Sequence, residues 1–269
     1  MRSMSNVNTS DQWFASWFDT PYYHILYRDR DYTEAGAFMQ RLTQRLKLDE
    51  NAHIMDLACG RGRHSMYLNQ LGYRVTGVDL SDSSIAFAKA ELRKAVLNDS
   101  THEESSSLAP IDTSRIEFHV HNMTLAYDQI FDAVFNLFTS FGYFDDAADN
   151  LRTVMAIKEN LKPGGYGVID FMNVPQVIKN LVAQNSKTEA GITFHNTRRF
   201  ENGFIYKDIK FRDNDHDYHF TERVSALTLE DFQSYFAASG LDLVDVYGNY
   251  QLEDYDQQTS ERLIMIFRN

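Results

Sequence analysis

Two glycines and one acidic residue stand where they could hold a nucleoside. Gly60 and Gly62 lie in I-M-D-L-A-C-G-R-G-R-H-S (54–65), where an apolar strand gives way to a helix. Without side chains there, the backbone can approach a ligand closely, and amides exposed at a helix N-terminus favour an anionic group. Asp79 closes the next predicted strand, where a carboxylate can accept hydrogen bonds from both hydroxyls of a ribose. These residues predict a nucleoside-bearing cofactor.

Asp56 indicates which kind of cofactor this is. It stands four residues before Gly60, whereas the first strand of a dinucleotide site runs apolar straight into its glycines. A carboxylate here suits a cofactor with an ammonium group better than a pyrophosphate, which counts against an NAD-dependent oxidoreductase. Cys59 is interpreted as a small buried residue, because no acid or base that could activate it is evident near it in the sequence.

The elements that must position these residues alternate in type. We predict strands at 52–57, 73–79, 116–121, 131–138 and 166–172, and helices near 62–71, 82–97, 147–161 and 174–183. This alternation predicts a parallel sheet with helices on both faces. Polar and apolar residues then alternate at 192–200, 204–212 and 218–227, which is typical of an antiparallel meander. A helix at 228–240 and strands near 241–249 and 261–267 close the chain.

The predicted fold class is therefore α/β. We expect a doubly wound, seven-stranded, mostly parallel sheet with a terminal antiparallel pair, an N-terminal helical cap and a small inserted antiparallel sheet. The expected domains are a cap at 1–48, a core at 49–185 and 228–269, and an inserted sheet at 186–227 over the active site.

The composition limits the possible partners. A net charge of −12 and a pI of about 5.1 argue against nucleic acid held through its phosphates. The single cysteine excludes an intrachain disulfide framework and a cysteine-rich zinc site. No signal-peptide pattern is evident, and the longest apolar runs are only strand-sized, so we expect a cytoplasmic protein without a membrane partner. The sequence does not indicate an oligomeric state.

D-L-A-C-G-R-G followed by V-D-L-S resembles motif I and the second-strand acid of class I S-adenosylmethionine-dependent methyltransferases. The turn L-K-P-G-G (161–165) and the closing antiparallel pair are similar to this family too, so the resemblance covers most of the chain. G-R-H-S and N-L-F-T-S-F-G-Y-F (136–144) resemble an uncharacterised bacterial subgroup that carries an inserted sheet. The resemblance implies a Rossmann-like core, S-adenosyl-L-methionine as the cofactor, and in-line transfer of a methyl group to an oxygen or nitrogen atom of a small molecule.

The resemblance also implies a cofactor site. In the family, the glycine loop faces the methionine part and the second-strand acid holds the ribose. Many members have Asp after the third strand where this chain has Asn122, whose carbonyl can still accept from the adenine amino group. Tyr22 and Tyr23 are interpreted as part of a lid. The predicted cofactor-binding residues are Asp56, Ala58, Cys59, Gly60, Gly62, His64, Asp79, Leu80, Asn122, Met123, Asn136, Leu137, Phe138, Tyr22 and Tyr23.

Residues 136–144 are predicted to form the wall where methyl donor and acceptor meet. Ligands of a doubly wound sheet bind beyond the carboxyl ends of the strands, near the point where strand order reverses. The predicted substrate contacts are Thr139, Ser140, Phe141, Tyr143, Asn173, Arg198, Tyr206, His219 and Glu222. No catalytic base is assigned, because a base is needed only if the nucleophile arrives protonated.

Several alternatives remain open at the level of sequence. Enzymes that methylate adenine in nucleic acids carry [N/D]-P-P-[Y/F] after the fourth strand, but Asn136 is followed by Leu-Phe-Thr. A protein acceptor or a binding protein without catalysis is also compatible with the motifs. His119 and His121 share a strand face and could hold a metal, but are interpreted as a polar strand end, so no metal is predicted. The aromatic residues of 13–23 fit either the core face of a helix or a pocket.

Overall fold

The computed structural model describes residues 13–28, 32–98 and 108–269. Residues 1–12 of the predicted cap therefore lie outside the described ranges. Three helices come first: α1 (Trp13–Phe18), α2 (Pro21–Leu26) and α3 (Tyr32–Leu46). The core then runs β1 (His53–Leu57), α4 (Arg63–Gln70), β2 (Arg74–Asp79), α5 (Asp82–Asn98), β3 (Ile116–Val120), β4 (Phe131–Asn136), α6 (Ala147–Asn160), β5 (Leu161–Met172) and α7 (Val174–Lys179). The chain ends with β6 (Gln184–Glu189), β7 (Ile192–Glu201), β8 (Phe204–Asp213), β9 (His216–Ser225), α8 (Leu229–Ser239), β10 (Asp242–Tyr247) and β11 (Arg262–Arg268).

The central sheet has seven strands in the order β10-β11-β5-β4-β1-β2-β3. Strands β1 to β5 are parallel, and β11 lies antiparallel between β5 and β10. This confirms the predicted doubly wound sheet with a terminal antiparallel pair. The chain leaves β1 towards β2 on one side and returns to β4 on the other, so strand order reverses between β1 and β4. A crevice is expected at the carboxyl ends of these two strands.

Two apolar layers enclose the sheet. All five residues of β1 are buried, and successive residues point to opposite faces. Ile54 belongs to the layer formed with α3, α4 and α5, whereas Met55 belongs to the layer formed with α6 and α8. Asp56 therefore points to the side of Ile54, towards α4. A charged side chain is thus placed beside the N-terminus of that helix.

The inserted sheet and β5 differ in detail from the sequence prediction. The inserted sheet has four strands in the order β6-β7-β8-β9, where the alternation predicted three. Strand β6 was missed because it is entirely polar, Q-N-S-K-T-E, and no apolar alternation marks it. Strand β5 begins at Leu161, before the turn that was expected to precede it, and its pairing with β4 shifts register between Phe131 and Ala133. Such an irregularity is where a strand can accommodate Pro163 and the glycines that follow.

The cap helices pack on one face of the inserted sheet. Trp17, Leu26, Phe194, Ile209 and Phe211 form a separate buried cluster at this contact. Trp17 is 1% exposed, and its indole Nε1 donates to Glu222 Oε1 at 2.7 Å. The cap and the inserted sheet therefore pack as one unit, called the roof, and of its described residues only those of the cap face the crevice. In the described part of the chain, no helix is long and apolar enough to cross a membrane.

Gly167 allows β5 to pass close beneath Phe267 of β11. A Cβ atom added there would lie 2.0 Å from Phe267 Cε2. We expect Gly167→Ala to lower the free energy of unfolding by about 1–3 kcal/mol, because the buried ring must move. Urea unfolding of the two proteins measures the difference. The double variant Gly167→Ala/Phe267→Leu should recover part of the loss, and additive losses would show that steric overlap is not the cause.

Candidate active site

A cavity of about 780 Å³ opens at the carboxyl ends of β1 to β4, beneath the cap helices. This is within the range of small-molecule sites, roughly 300–1,000 Å³. The cavity brings together these residues from the sequence prediction: Asp56, Ala58, Cys59, Gly60, His64, Asp79, Leu80, Asn122, Met123, Leu137, Phe138, Ser140, Tyr143 and Tyr23. Tyr23 comes from α2 of the cap, and the others come from the ends of β1 to β4 and the segments that follow them, which the parallel sheet aligns at one edge.

Asp79 is held at the end of β2 by two backbone amides. Its Oδ2 accepts from the Gly60 amide at 2.8 Å, and its Oδ1 accepts from the Ser81 amide at 2.9 Å. Burial raises the pKa of the carboxyl above its usual value, while the two amides oppose that rise. Each carboxylate oxygen can accept more than one hydrogen bond, so both oxygens retain capacity for ligand hydroxyls. The carboxylate is oriented before any ligand arrives.

The glycine loop takes left-handed conformations in succession. Ala58, Gly60 and Gly62 have φ angles of 63°, 54° and 77°. A Cβ atom added at Gly60 would meet nothing within 4 Å, so the loop leaves open space beside this residue. A Cβ atom at Gly62 would lie 2.6 Å from the Phe118 ring. Gly62 was predicted to contact the cofactor, but it lies off the cavity and allows α4 to pack against β3.

Asp56 is the buried charge of the site. Its side chain accepts from Ser65 Oγ of α4 at 2.6 Å, and the residue is 2% exposed. Burial raises the pKa of this carboxyl from 3.8 to about 6, and the Ser65 hydrogen bond only partly offsets that rise. An ionised Asp56 is thus destabilised unless a cation is near. Burial also raises the pKa of the Cys59 thiol, which agrees with its interpretation as an unreactive residue.

The side chain of Asn122, predicted to accept from the adenine amino group, already has partners within its own turn. The Asn122 carbonyl oxygen accepts from both the amide and the hydroxyl of Thr124, each at 3.0 Å, and so closes its own turn. Leu80 is 40% exposed and Met123 is half-buried, and both line the cavity.

His119 lies 3.2 Å from Glu117. Among the described residues, no group of three or more His, Cys, Asp or Glu side chains is arranged to hold a metal ion.

The turn after β4 contains two left-handed residues that are not glycine. Phe138 and Thr139 have φ angles of 58° and 63°, a conformation that costs roughly 1–2 kcal/mol per residue. The Phe138 ring lies parallel to the His64 ring, with centroids 4.5 Å apart. Asn136, predicted to contact the cofactor, is fully buried and donates to Leu57 O and Ser140 O, both at 3.1 Å. It therefore joins β1 to the turn and is not part of the cavity surface.

Acidic and aromatic side chains line the part of the cavity beneath the roof. The aromatic rings are Phe14, Phe18, Tyr23, Tyr27, Tyr143 and Phe144. The acids are Asp145, Asp146 and Asp149, of which Asp145 and Asp146 are also exposed to solvent. Asp146 accepts from the Ala148 amide at 2.9 Å and so caps α6. Their place directly after the β4 turn was the signal that could have identified them.

Four predicted residues from the cap and the core lie away from the cavity. The Tyr22 hydroxyl donates to Asp213 of the inserted sheet at 2.9 Å. Thr139 accepts from Arg262 through its hydroxyl at 2.9 Å. Phe141 is fully buried against Phe232, and Asn173 is fully buried with its amide donating to Gln257 O and Ser260 O. Each side chain is thus occupied in packing or in joining loops.

The four predicted residues of the inserted sheet also lie off the cavity. Lys207 pairs with Glu222, and Tyr206 pairs with Arg223. Because Tyr206 and Lys207 are consecutive, the two pairs project from opposite faces of the sheet. Glu222 faces the cap and accepts from the Tyr27 hydroxyl at 2.8 Å. Tyr206 and His219 lie on the opposite face, where they contact Arg199 and Asp208. Arg198 donates to Asn185 at 2.8 Å. Only Glu222 reaches the site, indirectly through Tyr27.

Comparison with known proteins gives a family match over most of the core. A family model described as a methyltransferase domain matches residues 48–224, more than half of the chain. The probable S-adenosyl-L-methionine-dependent methyltransferase TehB of Haemophilus influenzae is 31% identical over 123 residues. That alignment covers 46% of this chain and 37% of TehB, so the chain spans less than half the length of this curated relative.

Two solved structures show the same fold. An S-adenosylmethionine-dependent methyltransferase from Clostridium acetobutylicum superposes with a TM-score of 0.74 at 19% identity, covering 95% of this chain and 97% of the other. The amino pentose methyltransferase CalS10 from Micromonospora echinaspora, solved with S-adenosylmethionine bound, gives a TM-score of 0.64 at 18% identity over 99% of both chains. These similarities include the cap and the inserted sheet, since they extend over nearly the whole chain.

Proposed function

The chain belongs to the methyltransferase-domain family, its cofactor is S-adenosylmethionine, and on this premise we propose that it methylates a small molecule at nitrogen or oxygen, with an amine nitrogen preferred. The observation that carries the proposal is the continuity of the cavity. One end holds the Asp79 carboxylate and the glycine loop, and the other end is lined by acids and aromatic rings. A donor and a cationic acceptor can therefore occupy one space together.

The cofactor is proposed to extend from Leu80 to Asp56. The ribose hydroxyls would donate to Asp79, whose oxygens the Gly60 and Ser81 amides already orient. The methionine part would occupy the open space beside Gly60, and its ammonium group would lie near the buried Asp56 carboxylate. When bound, the cofactor supplies a methyl group on a positively charged sulfur. The residues of this chain bind and orient it, and exclude water from the reacting atoms.

The preference for an amine follows from the lining beneath the roof. Asp145 is paired with Arg223, and Asp146 and Asp149 are paired with Arg152, so the aromatic faces carry more of the argument than the acids. Each aromatic face can stabilise a nearby cation by about 1 kcal/mol. A small acceptor is favoured over nucleic acid by the net charge of −12 and by the roof that covers the cavity. The likeness in fold to CalS10, an amino pentose methyltransferase, is compatible with an amino sugar as the acceptor.

The test has two stages. Calorimetric titration of the purified protein with S-adenosylmethionine and its demethylated product should show binding, and absence of binding at millimolar concentrations would contradict the whole proposal. A panel of amino sugars, each paired with the sugar bearing hydroxyl in place of the amine, should then show methyl transfer to the amines. Transfer to the hydroxyl members instead would refute the preference for nitrogen. Binding without transfer to any member would favour a binding protein without catalysis.

Asp145 provides a test of acceptor recognition. Asp145→Asn should raise KM for a cationic amine by about tenfold, because one carboxylate charge is lost from the lining and the charge of its ion-pair partner Arg223 is left uncompensated. The affinity for the demethylated cofactor should stay the same. Asp215→Asn is the matched control, since Asp215 is 96% exposed in a hairpin of the inserted sheet. An equal rise in KM for both variants would indicate a general charge effect.

A further inference from the structure

The turn after β4 has an unusual conformation, and its backbone amides are hydrogen-bonded to a neighbouring strand. Phe138 and Thr139 are consecutive residues with positive φ, and neither is glycine. A β-branched residue such as Thr139 rarely adopts this conformation. Strained backbone of this kind persists when the structure around it over-determines it, and it often marks a functional site. The contacts that hold this turn therefore determine the shape of the cavity wall.

Asp170 makes two of these contacts. It lies in β5, next to the turn, and is 0% exposed. Its carboxylate Oδ2 accepts from the Phe138 amide at 2.8 Å, and its main-chain oxygen accepts from the Thr139 amide at 2.9 Å. Both amides of the left-handed pair are thus hydrogen-bonded to a single residue. Because the neighbouring strand supplies that residue, the turn cannot relax without losing both hydrogen bonds.

Arg262 at the start of β11 completes the arrangement. Its Nε donates to Asp170 Oδ1 at 2.8 Å, and its Nη2 donates to Thr139 Oγ1 at 2.9 Å. A buried carboxylate needs a partner of opposite charge, and the guanidinium supplies it. The planar group also reaches two acceptors at once, which the single ammonium of lysine cannot do with the same geometry. Arg262 therefore stabilises Asp170 and the Thr139 side chain together.

The turn held in this way supports two sides of the cavity. The Phe138 ring lies against His64 of α4, and Leu137 and Ser140 line the cavity beside it. On the other side, the Thr139 carbonyl accepts from the Tyr143 hydroxyl, which belongs to the aromatic lining beneath the roof. A change in the conformation of Thr139 would therefore move groups near both the glycine loop and the acidic end.

We propose that the Asp170–Arg262 ion pair is a positioning device that holds Phe138 and Thr139 in the left-handed conformation, and thereby sets the wall between cofactor and acceptor. The proposal rests on the function proposed above, because it concerns the same cavity. Neither Asp170 nor Arg262 is part of the cavity lining. Both act through the turn and are positioning residues.

The first experiment separates positioning from stability. Arg262→Met should weaken binding of the demethylated cofactor by about tenfold or more, since the hydrogen bonds of a charged group that orders the wall are lost. Arg268→Met is the matched control. Arg268 lies at the opposite end of β11, where it donates to Gly164 O at 3.0 Å and lies over the Tyr166 ring. Calorimetry measures the affinity, and thermal unfolding measures the stability. Arg268→Met should change the stability but not the affinity.

The second experiment tests the conformation itself. Glycine adopts positive φ without steric strain, so Thr139→Gly placed in the Arg262→Met protein should restore most of the lost affinity. Thr139→Val in the wild-type protein should reduce affinity, because it removes the acceptor of Arg262 while keeping a β-branched side chain. If Arg262→Met does not fold, Arg262→Lys replaces it. That variant keeps the charge beside Asp170 but loses the second hydrogen bond.

Three results would overturn the proposal: unchanged affinity in the Arg262 variants, an equal loss of affinity in Arg268→Met, or no recovery with Thr139→Gly. In each case the wild-type protein still binds the cofactor product, so the proposed function stands. Absence of binding to the wild-type protein would instead overturn the function and the positioning role together. The two failures are therefore distinguishable by the wild-type titration.

Discussion

Asp79→Asn is expected to weaken binding of S-adenosylmethionine by about 100-fold or more, the largest effect of any single change in the site. The carboxylate accepts from the Gly60 amide on one oxygen and from the Ser81 amide on the other. An asparagine side chain has one oxygen and one NH2 group, so one of these amides would face a donor. The substitution also weakens the acceptor for both ribose hydroxyls, because hydrogen bonds to a charged acceptor are stronger.

Calorimetric titration with the demethylated cofactor measures this loss directly. Asp82→Asn is the matched control, since Asp82 is exposed in the first turn of α5, three residues further along the chain. The control should bind as the wild-type protein does. An Asp79→Asn protein that is folded and retains wild-type affinity would show that the ribose is held elsewhere.

Asp56→Asn is expected to make the protein more stable and its cofactor site weaker. Burial raises the pKa of Asp56 from 3.8 to about 6. Below pH 3.8 the carboxyl is protonated in both the folded and the unfolded state. As the pH rises from 3.8 to about 6, the unfolded chain loses the proton that the folded protein keeps, so the free energy of unfolding falls. Above about pH 6 the loss is complete, at about 3 kcal/mol.

The Asn variant should lack this part of the pH dependence. Urea unfolding at about pH 4 and about pH 8 should show the wild-type protein losing stability relative to the variant as pH rises. Ser65→Ala is a second comparison, because it removes the hydroxyl that donates to Asp56 and should lower stability further at the higher pH. A difference between wild type and Asn variant that is independent of pH would contradict the raised pKa.

Cofactor affinity should change in the opposite direction. If the ammonium of the methionine part lies beside Asp56, binding favours the ionised carboxylate and lowers its pKa. Affinity for the demethylated cofactor should therefore rise with pH up to about pH 6 in the wild-type protein, and binding below that pH should release a proton. In Asp56→Asn the affinity should be about tenfold lower and independent of pH in this range. A buffer-dependent binding enthalpy in the wild type alone would confirm the proton release.

The local features of the cofactor site could be predicted from the sequence because they depend on short stretches. The positions of strands and helices follow from hydrophobic periodicity within each element. Their alternation along the chain was enough to predict a doubly wound, seven-stranded sheet. Gly60 and Asp79 were identifiable because glycine adopts positive φ without steric strain and because each stands at, or just after, the carboxyl end of its own strand. Register between parallel strands then places both ends at one edge of the sheet. These contacts required no knowledge of distant packing.

The acceptor side could not be predicted in this way. Which face of the inserted sheet meets the cap depends on a strand register, and a shift of one residue exchanges the two faces. Tyr206 and His219 were assigned to the site but lie on the opposite face from Glu222. Asn173 looked available after β5, yet its amide joins a loop from the end of the chain. Conversely, Asp145, Asp146 and Asp149 line the cavity, although the sequence did not identify them as site residues.

The sequence alone thus determined the fold class, the family and the cofactor, because the motifs behind them are contiguous segments with their own local geometry. The tertiary structure decided which side chains form the wall. Asp170 and Arg262 are 92 residues apart, and only the antiparallel insertion of β11 beside β5 brings them together. Since loop closure carries no signature in composition or periodicity, the ion pair that holds Phe138 and Thr139 became evident only in three dimensions.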